Sequence, residues 1–323
     1  MLNGNENSVS VLTRSFFLKY KMLFVLLALV AFLSVASDVF LTTRNITNVL
    51  RQISINSILG IGVTYVILTG GIDLSLGSIV AFSGVISTSV VKYGGHNWVF
   101  IGLLCGIAAG IACGLVSGAL VSILKAPAFV ATLAMMTIIR GFALMFTDGR
   151  PVTGFDSGFL QLGQGEILLL PTPVAILILV LIVSAFILSC TRFGRYIYAV
   201  GGNAEAARVS GVNVKSVIAS TYVICGACAG LGGVILASRI NAGQPVSGQG
   251  SELDAIAAVV IGGTSLSGGV GGVFGTIVGA LIIGVINNGL NLMEVSSYWQ
   301  QVFKGTIIVA AVVIDIWTNR KKL

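Results

Sequence analysis

TRFGRYIYAVGGNAEAARVSGVNVKS, residues 191–216, is a long polar interruption in a chain that is otherwise almost all apolar. Its basic residues are Arg192, Arg195, Arg208 and Lys215, and no other loop holds as many. Within it, Asn203 to Gly211 reads as a short helix. Asn203 can accept from the free N–H groups of a first turn. Glu205 sits where the helix dipole favours an anion, and Gly211 can end the helix in a left-handed conformation. Two turns are marginal alone in water, so this helix is expected to dock on something. Ala204, Ala206 and Ala207 would let that partner approach closely. An ordinary basic loop beside a membrane would account for the charge alone.

The rest of the chain sets the class. It has 323 residues, is 56% hydrophobic and only 9% charged, and has a mean hydropathy of +1.02. Soluble domains carry about 25% charged residues, so this is an integral membrane protein. Its formal charge of +7 speaks to topology and anionic lipid, not to nucleic acid. The 42 glycines fit close helix packing in lipid. Cys225 and Cys228 form a CxxC in YVICGACAGLGG, mid-helix, where small packing residues account for them better than redox or metal chemistry. His96 has no second metal ligand near it in sequence. Arg14, Lys19 and Lys21 precede an apolar run that is read as a first span rather than a cleaved leader.

Crossing about 30 Å of hydrocarbon takes about 20 apolar residues, fewer where a span is broken. The first run is Met22 to Ser37. Asn45 to Asn56 has Ile46, Val49, Leu50 and Ile53 at helical spacing with one wet face, and reads as an interfacial half-helix. Spans follow at Ile55 to Thr69, Ser75 to Val91, Trp98 to Leu124 and Pro127 to Phe146, with the break GGIDLSLGS after the first of these. A polar interval, Thr147 to Pro171, separates the halves. Further spans are Thr172 to Cys190, Val217 to Ala237, a short piece Asp254 to Gly262 entering GGTSLSGGVGG, then Val273 to Met293 and Tyr298 to Trp317.

About ten spans put both termini on one side. Arg14, Lys19, Lys21, Lys125, Arg192, Arg195, Arg208, Lys215, Arg320, Lys321 and Lys322 then share that side, against Arg44, Arg51, Lys92, Arg150 and Arg239. The bias makes the terminal side cytoplasmic, residues 1–21 and 191–216 included. The whole of 1–323 reads as a single transmembrane domain, all-α. Two internal likenesses compete. GGIDLSLGSIVAFSG resembles GGTSLSGGVGGVFGT, and GIACGLVSGAL (110–120) resembles GTIVGALIIGV (275–285). The second pairs helices running in opposite directions and is favoured, as an inverted five-plus-five repeat.

Few residues could carry chemistry. Asp73, in a glycine break, is either functional or a cap for the next span together with Ser75. Arg140 and Lys304 lie in apolar runs, where they can snorkel, bind helix carbonyls or line a wet path. Asn287, Asn288 and Asn291, with Gln300 and Gln301, form an amide cluster suited either to interhelical hydrogen bonds or to a passage for hydroxyl-rich solutes. No catalytic triad, carboxylate pair or metal-spaced cluster is present, and no GxxxxGK[ST], so the chain cannot hydrolyse ATP through a P-loop.

ILTGGIDLSLGSIVAFSG, TRFGRYIYAVGGNAEAARVSGVNV, GSELDAIAAVVIGGTSLSGGVGG and GTIVGALIIGVINNGLNLMEVSSYWQ together resemble the membrane permeases of bacterial ribose-type (monosaccharide) ABC importers, from about Phe40 to Asp315. Within that family the likeness is greatest to the ribose permeases, in VINNGLN and VSSYWQ. The resemblance implies a multi-pass protein of the bacterial inner membrane that forms a homodimeric path for a sugar. It implies two further partners, a cytoplasmic tandem ATPase that holds ATP and Mg, and a periplasmic sugar-binding protein; this chain binds no cofactor itself. It points to Asn203, Ala204, Glu205, Ala206, Ala207, Arg208 and Gly211 as the ATPase-coupling segment. The family's membrane motif falls on Gly71, Asp73, Leu74 and Ser75, which with Asn287, Asn288 and Asn291 are candidates for the path. By position, Asp148, Arg150, Arg239 and Glu252, with Asp156 and Asp254, are candidates for docking the binding protein. Ribose is the expected sugar. Allose, xylose, galactose or a furanosyl signal molecule are alternatives, and an ion-coupled secondary transporter is the rival class.

Overall fold

The computed structural model describes residues 22–320. The basic leader 1–21, with Arg14, Lys19 and Lys21, lies outside the described residues, as do Lys321 and Lys322. The described chain is mostly helical. Helix α1 spans Met22–Ala36. It is followed by α2 (Thr43–Leu68), α3 (Leu76–Gly94), α4 (Val99–Ser122) and α5 (Ala128–Thr147). A polar interval then holds a 3-10 turn (Ser157–Leu160), the one-turn α6 (Gln161–Gln164) and a minimal hairpin, β1 (Glu166–Ile167) with β2 (Leu170–Pro171). The chain continues through α7 (Thr172–Cys190), α8 (Arg192–Gly202), α9 (Ala204–Val209), α10 (Val214–Ile240), α11 (Ser251–Ile261), α12 (Val273–Leu292) and α13 (Ser297–Arg320).

Among the described residues, seven helical stretches are long and apolar enough to cross a membrane: α2, α3, α4 with the turn before it, α5, α7, α10 and α12. The short eighth apolar piece is α11, of only 11 residues. At 1.5 Å per residue it falls well short of a bilayer core, so it is a half-helix. The expected interfacial half-helix at Asn45–Asn56 does not exist as a separate element. Residues 43–68 form one helix of 26 residues, opened by Thr42, whose hydroxyl accepts from Asn45 N–H. Its wet face meets protein instead of water. Asn45 exchanges hydrogen bonds with Asn288 of α12 (3.1 and 2.8 Å), and the Arg51 guanidinium donates to Gln164 O (2.6 Å). With Asn45 and Arg51 held by protein groups, the helix runs on unbroken into its apolar half.

The centre is built from α2, α3, α10 and α12. In its most apolar window α2 is 78% buried, whereas α7 is 17% buried and turns most of its surface outward. Helix α10 lies along α4 and also packs on α3 and α2, while α12 packs on α11 and α2. Small residues permit the closest crossing. A Cβ on Gly110 of α4 would overlap Gly226 O of α10, and a Cβ on Gly226 would overlap Gly110 O. In lipid such close backbone approach replaces hydrophobic burial as the source of helix association. Gly110→Ala is therefore expected to lower the stability of the purified protein by about 1–3 kcal/mol, as overpacking does. Gly141→Ala, in open space on α5, is the control and should leave thermal unfolding unchanged. Equal melting of the two variants would refute this.

Two non-helical segments enter this core from opposite ends. Residues 69–75 link α2 to α3, and residues 241–250 link α10 to α11. Positions 243 and 248 of the second lie against Gly84 and Thr88, then Gly77 and Val80, so the segment runs down α3 toward its first turn. Arg140 of α5 holds it there by donating to Pro245 O and Ser247 O, both at 2.8 Å. Of the three fates expected for Arg140, binding backbone carbonyls is the one observed, and they belong to a loop rather than a helix. Irregular backbone at this depth is tolerated because protein groups satisfy it.

Candidate functional site: a two-helix element and the helix breaks beneath it

The 191–216 stretch folds as two helices joined at Asn203. Sequence reading anticipated only the second. Thr191 caps α8, its hydroxyl accepting from Gly194 N–H (3.1 Å). Gly194, Ile197 and Val200 recur at helical spacing and are buried, while Arg192, Arg195 and Tyr196 are exposed. That apolar face, with Ala207 and Val217, packs on Ile61, Tyr65 and Leu68 near the end of α2, on Leu188 of α7 and on Val273 at the start of α12. The i, i+3 spacing of 194, 197 and 200 was the available signal for α8.

Helix α9 begins at Asn203, whose Oδ1 accepts from Ala206 N–H (2.9 Å), and ends before Gly211, which has φ +86°. Gly211 N–H donates to Arg208 O and Val212 N–H to Ala207 O, both at 3.0 Å, closing the last turn. Glu205 and Arg208 form an exposed ion pair with Arg208 Nε 3.0 Å from Oε2. Arg208 holds the Glu205 carboxyl below the usual carboxylate range and is itself raised by the same contact. Lys125 lowers Glu205 further, which puts the α4–α5 connection at the same end of the molecule. Only Ala207 of this helix is buried. Asn203, Ala204, Glu205, Ala206, Arg208 and Gly211 are exposed, as is Val209 at 78%. A two-turn helix held by one alanine and offering its other faces outward is suited to receive a partner.

Beneath it lies the first helix break. Asp73 is fully buried, and its Oδ1 accepts from Ser75 N–H (2.8 Å) and Ser75 Oγ (2.6 Å). Tyr222 Oη and Thr132 Oγ1 both donate to Ile72 O (3.2 and 3.4 Å). Asp73 thus organises the turn that leads into α3, although no side chain caps the helix itself. The second glycine run, 262–272, reaches the same place: Gly269 N–H donates to Leu68 O (2.9 Å), and Gly70 faces Ser267 O. The two runs that look alike in sequence are neighbours in space.

The amide cluster is used for packing. Asn288 is committed to its reciprocal pair with Asn45, and Asn291 Oδ1 accepts from Gln300 Nε2 (2.9 Å). Asn287 is 5% exposed, and its Oδ1 has no partner among the described residues. Asn288 and Asn291 thus both make helix–helix hydrogen bonds.

At the far end, Asp148 and Arg150 are exposed after α5, with Asp148 in the left-handed conformation that ends the helix. The other docking candidates are partly buried or paired within the protein. Arg239 is half-buried beside Arg51, and its backbone O accepts from Gln164 Nε2 (3.0 Å). The Glu252 carboxylate lies over Gly77 at the start of α3, near Arg140, with Oε1 accepting from Gly250 N–H (3.2 Å). Asp254 pairs with Lys304 of α13 at 2.9 Å, which settles the fate of that lysine as well. Asp156 meets His96 Nδ1 at 2.8 Å, and this bond holds the Asp156 carboxyl below its ordinary range. His96 does have a partner, 60 residues away in sequence. All five cysteines are free, with Cys225 and Cys228 buried in α10.

Comparison with known proteins bears on this geometry. The family described as "branched-chain amino acid transport system / permease component" matches residues 45–312. The chain is 45% identical over 318 residues to the ribose import permease protein RbsC of Escherichia coli K12, covering 96% of each chain. It is 46% identical over 292 residues to the RbsC of Bacillus subtilis, covering 90% of each. It is 40% identical over 298 residues to the D-allose transport system permease protein AlsC of Escherichia coli K12, covering 92% of this chain and 91% of the other. No solved structure matches.

Proposed function

The chain belongs to the branched-chain amino acid transport system / permease component family, and from that premise we propose that it is the membrane permease of an ATP-driven importer that moves a monosaccharide, ribose first, into the cytoplasm. The observation that carries this is the identity of 43–46% to proteins named as ribose import permeases over nearly the whole chain. The chain is a transport subunit with no ATP site of its own. ATP and Mg sit on a partner ATPase, a binding protein delivers the sugar from the periplasm, and two copies of this chain form the path.

Helix α9, with Asn203, Ala204, Glu205, Ala206, Ala207, Arg208 and Gly211, is the part that meets the ATPase. Its exposure, its charge pair and its seating on α8 and α10 support that reading. Closure of the ATPase pair on ATP would push this element, and the permease halves would rock as bodies between two states with different contacts. Asp73 and Ser75 belong to the turn that such rocking must carry, and Asn287 is the remaining amide candidate for the path.

Ten spans with both termini in the cytoplasm remain our reading of the topology. Lys125 and the 191–216 element share one end, and Arg51 and Arg239 share the other, in keeping with the basic bias. The inverted repeat is supported by a matched packing pattern. α10 packs on α4 and α3 as α2 packs on α12 and α11, α3 on α4 as α11 on α12, and α3 on α5 as α11 on α13. Segments 110–120 and 275–285 fall in α4 and α12, corresponding members of the two halves.

The direct test is ATP hydrolysis and uptake by the reconstituted complex with a panel of sugar-loaded binding proteins. Stimulation by the ribose-loaded protein above the allose- and xylose-loaded ones is expected. Uptake driven by an ion gradient without ATP would sink the reading. Docking of the binding protein is assigned to the exposed pair Asp148 and Arg150. Arg150→Glu should weaken its capture several-fold, more at low salt, as changes to rim charges do. Unchanged capture removes these residues from the interface.

A further inference from the structure

Three chain segments meet at the end of α8 with no side chain between them. Gly201 is the last helical position but one. A Cβ there would overlap the Leu68 carbonyl oxygen at the end of α2 and crowd Gly269 N of the second glycine run. Gly268 and Gly269 also approach Gly201 and Gly202, with backbone atoms only 2.9–3.2 Å from where their own Cβ atoms would stand. Gly269 N–H donates to Leu68 O (2.9 Å), and Tyr198 Oη donates to Gly271 O (2.9 Å) just before α12 begins. Helix α9 starts three residues after Gly201. Contacts made by backbone alone have no rotatable side chain to absorb a displacement, and close-packed interiors transmit strain.

We infer that Gly201 is the positioning residue through which displacement of α9 reaches the end of α2 and the start of α12. This rests on the reading of α9 as the ATPase contact. An L residue at 201 breaks the joint by forcing the three segments apart, even though alanine is a better helix former than glycine. The adjacent Gly202 provides a matched control, since a Cβ there meets nothing within 4 Å.

The test uses the full chain reconstituted with its ATPase and binding protein, and reads uptake per ATP hydrolysed. Gly201→Ala should assemble and hydrolyse ATP but import roughly ten-fold less sugar per ATP, within the range of effects of substitutions along a coupling route. Gly202→Ala should match the wild type. A purely structural role for Gly201 would reduce the amount of complex and leave the ratio unchanged. Equal ratios for the two variants overturn the inference. Absence of ATP-driven uptake in the wild type overturns the importer reading instead.

If Gly201→Ala yields no complex, spin-label distances in an otherwise wild-type chain with Cys190→Ser decide. Labels at Val209 and Val270, both exposed, should keep their separation when ATP is added, while the Val270 to Leu168 distance changes. A change in the first distance, or none in the second, overturns the joint.

Discussion

Gly211→Pro should abolish ATP-coupled uptake while leaving the chain inserted and its long helices intact. Gly211 sits at φ +86°, and proline is locked near −65°. The substitution also deletes the N–H that donates to Arg208 O at 3.0 Å. The last turn of α9 cannot close, and a helix of two turns has little else to keep it. The local cost is more than about 1 kcal/mol, the scale of glycine and proline changes at compatible sites. Confined to a surface element, it should spare the membrane core. The functional cost is larger because α9 is the proposed contact with the energy source. Glu205→Lys tests the same element by charge. It places two cations at i, i+3, removes the Arg208 partner, and puts a positive charge in the first turn, where the dipole disfavours it by about 0.3–1 kcal/mol. Co-purification with the ATPase and uptake per ATP in proteoliposomes are the measurements. Normal coupled uptake by both variants would return 191–216 to an ordinary basic loop.

Lys304→Met should destabilise the protein strongly, and adding Asp254→Leu should restore most of the loss. Asp254 is in the first turn of the half-helix α11, with its side chain 13% exposed, and Lys304 reaches it from α13 at 2.9 Å. Removing one partner of a buried pair leaves the other charge uncompensated, at about 3–5 kcal/mol. The lysine side chain is 32% exposed, which places the expectation near the lower end of that range. Replacing both partners by apolar residues removes the charge problem, and such replacements are often neutral. Thermal unfolding followed by helical signal in detergent gives the cycle. Single and double variants that melt alike would show that the pair contributes no coupling between α11 and α13.

Much of the architecture was legible locally. Apolar runs located most of the helices because a span is a property of about 20 consecutive residues. Asn203 and Gly211 marked the limits of α9 because capping is decided within four residues. The docking of α9 was legible for a similar reason, since a helix so short needs a neighbour. What the sequence left open was mostly what depended on a partner from elsewhere in the chain. The wet face of 45–56 was read as facing water, but Asn288 lies 243 residues on and Arg51 reaches Gln164 113 residues on. Asn288 and Asn291 looked available to a solute because their partners were invisible. Glu252 looked external because 241–250 is polar, but Arg140 draws that segment down the side of α3.

The sequence by itself determined that this is a helical membrane protein, where most spans begin and end, and that 191–216 carries a capped helix. Those properties follow from hydrophobic transfer and from hydrogen bonds within a few residues. Only the tertiary structure decided that the two glycine runs meet each other, that Gly201 lies between them, and that Asn45 and Arg51 of α2, Arg140 of α5 and Lys304 of α13 find partners within the protein. Those outcomes depend on which distant backbone or side chain satisfies each polar group once water is excluded, and no local pattern encodes that partner.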